Sequence, residues 1–157
     1  LYTAGYQGKL AAVDLTQGQV VWSRPFSSWS GVSVDENAIY LTDERSHIWA
    51  VDRFSGETLW RQADLTARAV TRPVLFENYV VVGDYAGVLH ILSREDGSFV
   101  ARKDVGKLQV SEDFEDQEQD IDQGIFLPRT VFRDTIIVIL RSGDIAAYTI
   151  TPTAQQN

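Results

Sequence analysis

Seven acidic side chains lie close together in the last third of the chain. No lysine or arginine occurs between Lys107 and Arg129, and the acidic residues in that interval are Glu112, Asp113, Glu115, Asp116, Glu118, Asp120 and Asp122. Carboxylate oxygens are the ligands that Ca²⁺ takes, but this run lacks the central glycine and terminal glutamate of an EF-hand loop. A solvated loop is one alternative, and a contact with a basic patch of a partner protein is another. For that contact the candidates are Glu112, Asp113, Glu115 and Asp116.

Two histidines are the other residues suited to metal or acid–base chemistry. His47 and His90 are the only histidines, and the chain has no cysteine. A zinc centre or a Ser-His-Asp arrangement needs a further positioned group, and none lies in register with either histidine. The glycines form no phosphate-binding loop. We therefore predict that both histidines are ordinary packed or half-exposed residues, and that the chain has no catalytic residue, metal or cofactor.

The charge balance excludes one class of partner. The formal net charge is −8 and the pI is about 4.6, whereas nucleic-acid-binding proteins show a basic stripe. Single arginines on turns remain candidates for protein contacts, because the guanidinium group is favoured at interfaces. The arginines in or near predicted turns are Arg45, Arg68, Arg72 and Arg129. Of these, Arg45 and Arg68 are taken as candidate partner contacts.

The predicted strands and turns that carry these residues belong to a repeated sequence unit. The phrase AAVDLTQGQVVW at 11–22 returns as WAVDRFSGETLW at 49–60 and as HILSREDGSFVA at 90–101. Its glycines, Gly18, Gly56 and Gly97, recur about every 40 residues, a spacing typical of stacked supersecondary units. The shared residues are therefore interpreted as structural: Asp14 and Asp52 accept turn hydrogen bonds, the glycines take positive φ, and Trp22 and Trp60 fill the wedge between neighbouring units.

Each complete unit contains four short apolar runs of strand length. In residues 67–105 these runs are PVLF, YVVVGD, VLHILS and SFVARKDV, and turn-forming residues separate them. Repetition of four antiparallel strands about every 40 residues is typical of propeller blades. The sequence thus predicts an all-β chain with two complete blades, at about 29–65 and 66–105, and two incomplete blades, at about 1–28 and 106–151.

The repeat is interrupted once. Gly87 and Gly143 occupy equivalent turns, but the interval between them is clearly longer than the repeat of about 40 residues. An insertion therefore falls at about 109–124, on the acidic run, and residues 152–157 are predicted to be a tail. The two incomplete blades leave strand edges with unpaired backbone groups, and through these edges we expect the chain to dimerise.

The form D-x-x-x-G-x-x-x-W in DLTQGQVVW and DRFSGETLW resembles the repeat of quinoprotein-type, or PQQ-like, propellers. Across residues 4–150 the order and spacing of AGYQGKLAAVDL, GQVVWSR, VDENAIYLTD, RPVLFENYVVVGD and EDGSFVA resemble the BamB family of outer-membrane protein assembly factors. That resemblance implies an eight-bladed propeller, of which this chain is about the C-terminal half. It also implies an N-terminal lipid, upstream of this chain, that holds the protein at the periplasmic face of the outer membrane.

The resemblance implies a function as well. Members of the family are scaffolds without enzymatic activity that bind the periplasmic domains of the barrel-inserting protein BamA and assist the insertion of β-barrel proteins. The alternative is a fragment of a quinoprotein dehydrogenase, which shares the repeat. That chemistry needs a quinone cofactor, a bound Ca²⁺ and commonly a vicinal cysteine pair, and none of these can be located in the sequence.

Overall fold

The protein is described from a computed structural model that covers residues 1–5, 8–28, 30–105, 125–132, 135–141 and 143–149. Every regular element in these residues is a β-strand. No helix that is long and apolar enough to cross a membrane occurs in this part of the chain.

In these ranges fourteen strands form four antiparallel sheets, and the strands of each sheet follow one another in sequence. The first sheet contains β1 (Tyr2–Ala4), β2 (Lys9–Asp14) and β3 (Gln19–Pro25). The second contains β4 (Val32–Val34), β5 (Ala38–Thr42), β6 (Ile48–Asp52) and β7 (Thr58–Gln62). The third contains β8 (Val74–Phe76), β9 (Tyr79–Gly83), β10 (Val88–Ser93) and β11 (Phe99–Asp104). The last contains β12 (Ile125–Phe132), β13 (Thr135–Leu140) and β14 (Ile145–Thr149).

The repeat extends to irregularities of the backbone. A register shift interrupts the pairing of the last two strands in the first three sheets, at Ala12/Val13, Ala50/Val51 and Ile91/Leu92. These positions recur with the same spacing as the glycines of the repeated phrase. Because a β-bulge bends and twists a strand in a defined way, equal bulges give the successive sheets the same shape.

Buried apolar side chains lie between successive sheets. One cluster joins the first sheet to the second and includes Leu10 and Leu41. Another joins the second to the third through Trp60 and Val80, and a further one joins the third to the last through Leu89 and Val138. Sheets that pack face to face in sequence order are the blades of a propeller. The predicted fold class, an all-β propeller fragment with two complete and two incomplete blades, is therefore confirmed. In the described residues each incomplete blade has three strands.

Two predicted segments lie outside the described residues. These are the acidic insertion at about 109–124, with Glu112, Asp113, Glu115 and Asp116, and the tail at 152–157. The blade boundaries given above remain predictions from the sequence.

Candidate interaction surface

The turns of the repeated phrase are closed by carboxylates and glycines. The Oδ1 atom of Asp14 accepts hydrogen bonds from the backbone N–H groups of Thr16, at 2.7 Å, and Gln17, at 3.3 Å. The N–H of Gly18, whose φ is +66°, donates to the carbonyl oxygen of Asp14 at 2.8 Å. Because glycine adopts a positive φ without steric cost, this residue can turn the chain back into β3.

The next two copies build the same turn. Asp52 Oδ1 accepts from the N–H groups of Phe54 and Ser55 at 2.9 and 2.7 Å, and the hydrogen bonds from Ser55 lower the pKa of this carboxyl group. The N–H of Gly56 donates to the carbonyl oxygen of Asp52 at 2.9 Å. In the third copy the N–H of Gly97 donates to the carbonyl oxygen of Ser93 at 3.0 Å. Ser93 Oγ takes the place of the carboxylate and accepts from the N–H of Glu95 at 3.2 Å, so the turn keeps both a side-chain and a backbone hydrogen bond.

Each repeat tryptophan packs on the turn of the following blade. The Nε1–H of Trp22 donates to the carbonyl oxygen of Arg53 at 3.1 Å, and that of Trp60 donates to the carbonyl oxygen of Arg94 at 2.9 Å. The six-membered rings lie so close to Gly56 and Gly97 that an added Cβ would come within 2.8 and 2.5 Å of indole carbon Cε3. The glycines therefore serve two needs: a positive φ, and room for the ring of the neighbouring blade.

These contacts predict a difference between two glycine variants. Gly97→Ala is expected to lower the free energy of unfolding by about 3 kcal/mol, because it adds overpacking against Trp60 to the strain of a positive φ. Gly18→Ala is the matched control, since Gly18 also has a positive φ but nothing lies within 4 Å of the position that the new methyl group would take. Its cost is expected to be about 1 kcal/mol. Urea denaturation measures both, and equal losses would show that the ring imposes no steric limit on the glycine.

A pair of arginines clamps neighbouring blades at the same end of the sheets. The guanidinium of Arg94 forms an ion pair with Asp35 of the preceding blade, and Tyr40 donates from its hydroxyl to Asp35 at 2.9 Å. Burial alone raises the pKa of Asp35, but the hydrogen bonds from Arg94 and from the N–H groups of Ala38 and Asn37 lower it to about 2. The equivalent Arg53 donates to the hydroxyl oxygen of Tyr2 in the first blade at 3.0 Å, so this clamp is also part of the repeat.

At the opposite end of the sheets, Arg68 is tied to the third blade. It lies between Ala67 and Ala69, whose φ values of +63° and +48° are strained for alanine. Its Nε donates to Asp84 Oδ2 at 2.6 Å, and His90 Nε2 lies 2.8 Å from the same oxygen. Asp84 is fully buried and His90 is 2% exposed. The charge of Arg68 is therefore paired with a buried carboxylate, although the arginine side chain itself is 42% exposed.

Asp43 of the second blade is equivalent to Asp84, but its carboxylate and its histidine partner are more exposed to solvent. Asp43 Oδ2 accepts from the indole Nε1–H of Trp49 at 2.9 Å and lies 2.9 Å from His47 Nδ1. Asp43 Oδ1 accepts from the N–H groups of Arg45 and His47, each at 2.9 Å. The Nη2 atom of Arg61 lies 3.1 and 3.4 Å from the two ring nitrogens of His47, and its guanidinium carbon is 5.0 Å from the centre of the Trp49 ring. This guanidinium is thus packed between two rings.

A cavity of about 370 Å³ opens beside this group, at the junction of the first and second blades. Antiparallel order brings the end of β3, the β5–β6 turn and the end of β7 to one end of the sheets. Its lining residues are Arg24, Pro25, Phe26, Ser27, Asp43, Glu44, Arg45, His47, Trp49, Thr58 and Arg61. Two of the residues proposed as partner contacts lie in the described part of the chain, Arg45 and Arg68, and of these Arg45 lines the cavity.

The described residues offer no alternative centre for metal chemistry. Within the ranges that the structure covers, no three His, Asp or Glu side chains are placed to hold a metal ion. Both histidines are buried, with exposed fractions of 5% and 2%, and each faces a single carboxylate. Their surroundings are those of packed residues held by hydrogen bonds.

Comparison with known proteins identifies the family. A family model described as "Outer membrane protein assembly factor BamB" matches residues 1–62. Proteins of that name from Shewanella oneidensis and Yersinia pestis are 34% and 37% identical to the chain over 150 residues, or 96% and 95% of its length. The chain belongs to the BamB family. It covers 34% of each of these two relatives, so it spans about a third of their length.

Solved structures agree with this assignment. BamB from Moraxella catarrhalis superposes on 95% of the chain with a TM-score of 0.78 and 26% identity, and the match covers 40% of that protein. A quinohemoprotein alcohol dehydrogenase from Comamonas testosteroni superposes on 65% of the chain with a TM-score of 0.56 and 17% identity, which shows a shared fold alone. The enzyme alternative is therefore the less favoured of the two functions.

The cavity at the first blade junction was not predicted from the sequence. Its cations, Arg24, Arg45 and Arg61, are far apart in sequence and match no motif. The available signal was a departure from the repeat: blade two has Gln62 where blade one has Arg24, and blade three has Ala86 where blade two has Arg45. Comparing the copies position by position would have singled out these residues.

Proposed function

We propose that this chain is part of a protein-binding scaffold of the outer-membrane β-barrel assembly machinery. Its relatives carry the name of an outer-membrane protein assembly factor, and this observation carries the proposal. The architecture suits the role, since repeated wedges and clamps make a rigid frame whose turns and linkers are free to differ between blades. In the full-length protein the scaffold is lipid-anchored and faces the periplasm.

The proposed partner is BamA, through its periplasmic domains. Arg45 is the described residue best suited to such a contact: its side chain is exposed and lines the junction cavity. Arg68 is a weaker candidate because its guanidinium is already bonded to Asp84. Glu112, Asp113, Glu115 and Asp116 remain candidate contacts on the strength of their charge.

We expect the full-length protein to co-purify with BamA and to bind its isolated periplasmic domains. The control is the separate membrane barrel of BamA, which should not bind. Binding is measured by pull-down and then by calorimetry. Failure to bind the periplasmic domains would contradict the proposal. Dye-linked oxidation of alcohols or sugars after addition of pyrroloquinoline quinone and Ca²⁺ would favour the dehydrogenase instead.

A further inference from the structure

The internal repeat separates residues that the fold needs from residues that it does not. At the first blade junction Trp22 is accompanied by Arg24, which donates to the carbonyl oxygen of Gly56 at 2.8 Å. At the second junction the same bond is made by Gln62, which donates to the carbonyl oxygen of Gly97 at 3.1 Å. Because glutamine satisfies this carbonyl equally, the positive charge of Arg24 is not required by the repeat.

Two further positions lose their basic character at the second junction. In the next copy of the turn, Ala86 and Val88 occupy the places of Arg45 and His47, although the turn carboxylate persists as Asp84. Arg24 and Arg45 are thus particular to the first junction, whereas Arg61 has an equivalent, Arg102, on the third blade. Residues that break a structural repeat without a structural reason are candidates for binding.

The described residues provide no carboxylate partner for the arginines at this junction. None of Arg24, Arg45 and Arg61 forms an ion pair with a carboxylate in the described part of the chain. Asp43 lines the same cavity, but its two oxygens face two backbone N–H groups, the indole of Trp49 and His47. Glu44 is the other carboxylate of the lining. The lining therefore contains three guanidinium groups and two carboxylates.

The lining also selects the kind of anion. Phe26 and Trp49 meet edge to face with ring centroids 5.2 Å apart, and Pro25 continues this apolar part of the wall. The guanidinium forks match carboxylates, and the apolar wall suits the groups between them. A chain with carboxylates at intervals fits this mixture better than a compact phosphate does. The chain has a formal net charge of −8, so it repels an acidic ligand overall. Only the arginine-lined cavity offers such a ligand favourable electrostatic contacts.

We propose that the cavity between the first and second blades binds an extended acidic peptide segment of a partner protein, with its carboxylates paired to Arg24, Arg45 and Arg61. Arg61 is held in place for this contact by the rings of Trp49 and His47. The proposal goes beyond the assembly function and does not rest on it. A synthetic peptide tests it without any component of the assembly machinery.

The test uses the full chain and a capped hexapeptide in which glutamate alternates with alanine. Titration is followed by the indole N–H resonances in two-dimensional NMR, where Trp49 reports on the cavity. We expect saturable binding that weakens as salt is raised. The double variant R24Q/R45A should weaken binding at least about tenfold, since it removes two charge-assisted contacts. Both substitutions introduce residues that the repeat itself uses at those positions, and the midpoint of urea unfolding checks that the variant is folded.

Two controls test whether binding depends on this site and on the charge of the peptide. R102A removes the arginine equivalent to Arg61 on the third blade and should leave peptide binding unchanged. A peptide with glutamine in place of glutamate should not bind to the wild-type chain. This comparison uses no variant, so it remains valid even if a variant fails to fold. The proposal is overturned if neither peptide binds, if the double variant binds as tightly as the wild type, or if inorganic phosphate at millimolar concentration binds while the acidic peptide does not.

Discussion

Replacing Trp60 with alanine is expected to lower the free energy of unfolding by about 3–5 kcal/mol, the usual cost of removing a large buried aromatic side chain. Trp60 is 8% exposed and belongs to the apolar cluster that joins the second and third blades. Its ring lies against Gly97 and is 6.0 Å, between centroids, from Tyr40. The variant also leaves the carbonyl oxygen of Arg94 without its indole donor.

Trp22→Ala is the matched control for this prediction. Trp22 makes the same hydrogen bond and the same glycine contact one junction earlier, but it is only partly buried. Its replacement is expected to cost about 2 kcal/mol, since less apolar surface is lost from the interior. Urea unfolding followed by far-ultraviolet circular dichroism avoids the change in tryptophan fluorescence. If Trp60→Ala costs no more than Trp22→Ala, the second blade junction does not depend on its wedge.

The strands could be predicted because their signals are local. In residues 67–105 the apolar runs mark the strands, and the turns at Glu77-Asn78 and Asp96-Gly97 mark where strands end. The strands β8 to β11 lie within the predicted runs. The order of the strands in each sheet follows too, since antiparallel neighbours joined by short turns pair in sequence order. The repeat then accounts for the equivalent contacts that Trp22 and Trp60 make at the first two junctions.

The partners of individual side chains could not be predicted in this way. Arg68 and Asp84 are 16 residues apart, and a left-handed backbone at Ala67 and Ala69 turns the arginine towards the carboxylate. No local pattern in the sequence signals a positive φ at alanine. Likewise, the junction cavity gathers residues from two blades, so it depends on packing between repeats and not on any motif within one.

The repeat also explains why stability and binding can be separated in this molecule. Hydrogen bonds that recur, such as those of Arg24 and Gln62 to a glycine carbonyl, constrain only the donor and leave the charge of the side chain free to vary. Arg45 and Ala86 occupy equivalent turns whose backbone is held by Asp43 and Asp84. A turn whose backbone is held by its aspartate can therefore present different side chains to solvent while the blade stays folded.

Asp84→Asn is expected to lower the free energy of unfolding by about 3 kcal/mol at neutral pH, because it breaks a buried charged group of hydrogen bonds. Asp84 Oδ1 accepts from the N–H groups of Ala86 and Val88 at 2.9 and 3.0 Å, and Oδ2 faces Arg68 and His90. The amide NH₂ of asparagine would face donors on either side. Asp52→Asn is the control, since it makes the same chemical change in a turn at the surface.

The same variant should alter the response of the protein to acid. Burial alone raises the pKa of Asp84, but hydrogen bonds from His90, the N–H of Val88 and Arg68 lower it to about 2 from its ordinary value of 3.8. A carboxyl group with a depressed pKa stabilises the folded state above its unfolded pKa, and this contribution is lost as the pH falls from about 4 to 2. The loss for the wild type is on the order of 2 kcal/mol. The difference between the urea midpoints of wild type and Asp84→Asn should therefore shrink across this interval, whereas a constant difference down to pH 2 would show that the ionised carboxylate is not what the fold requires.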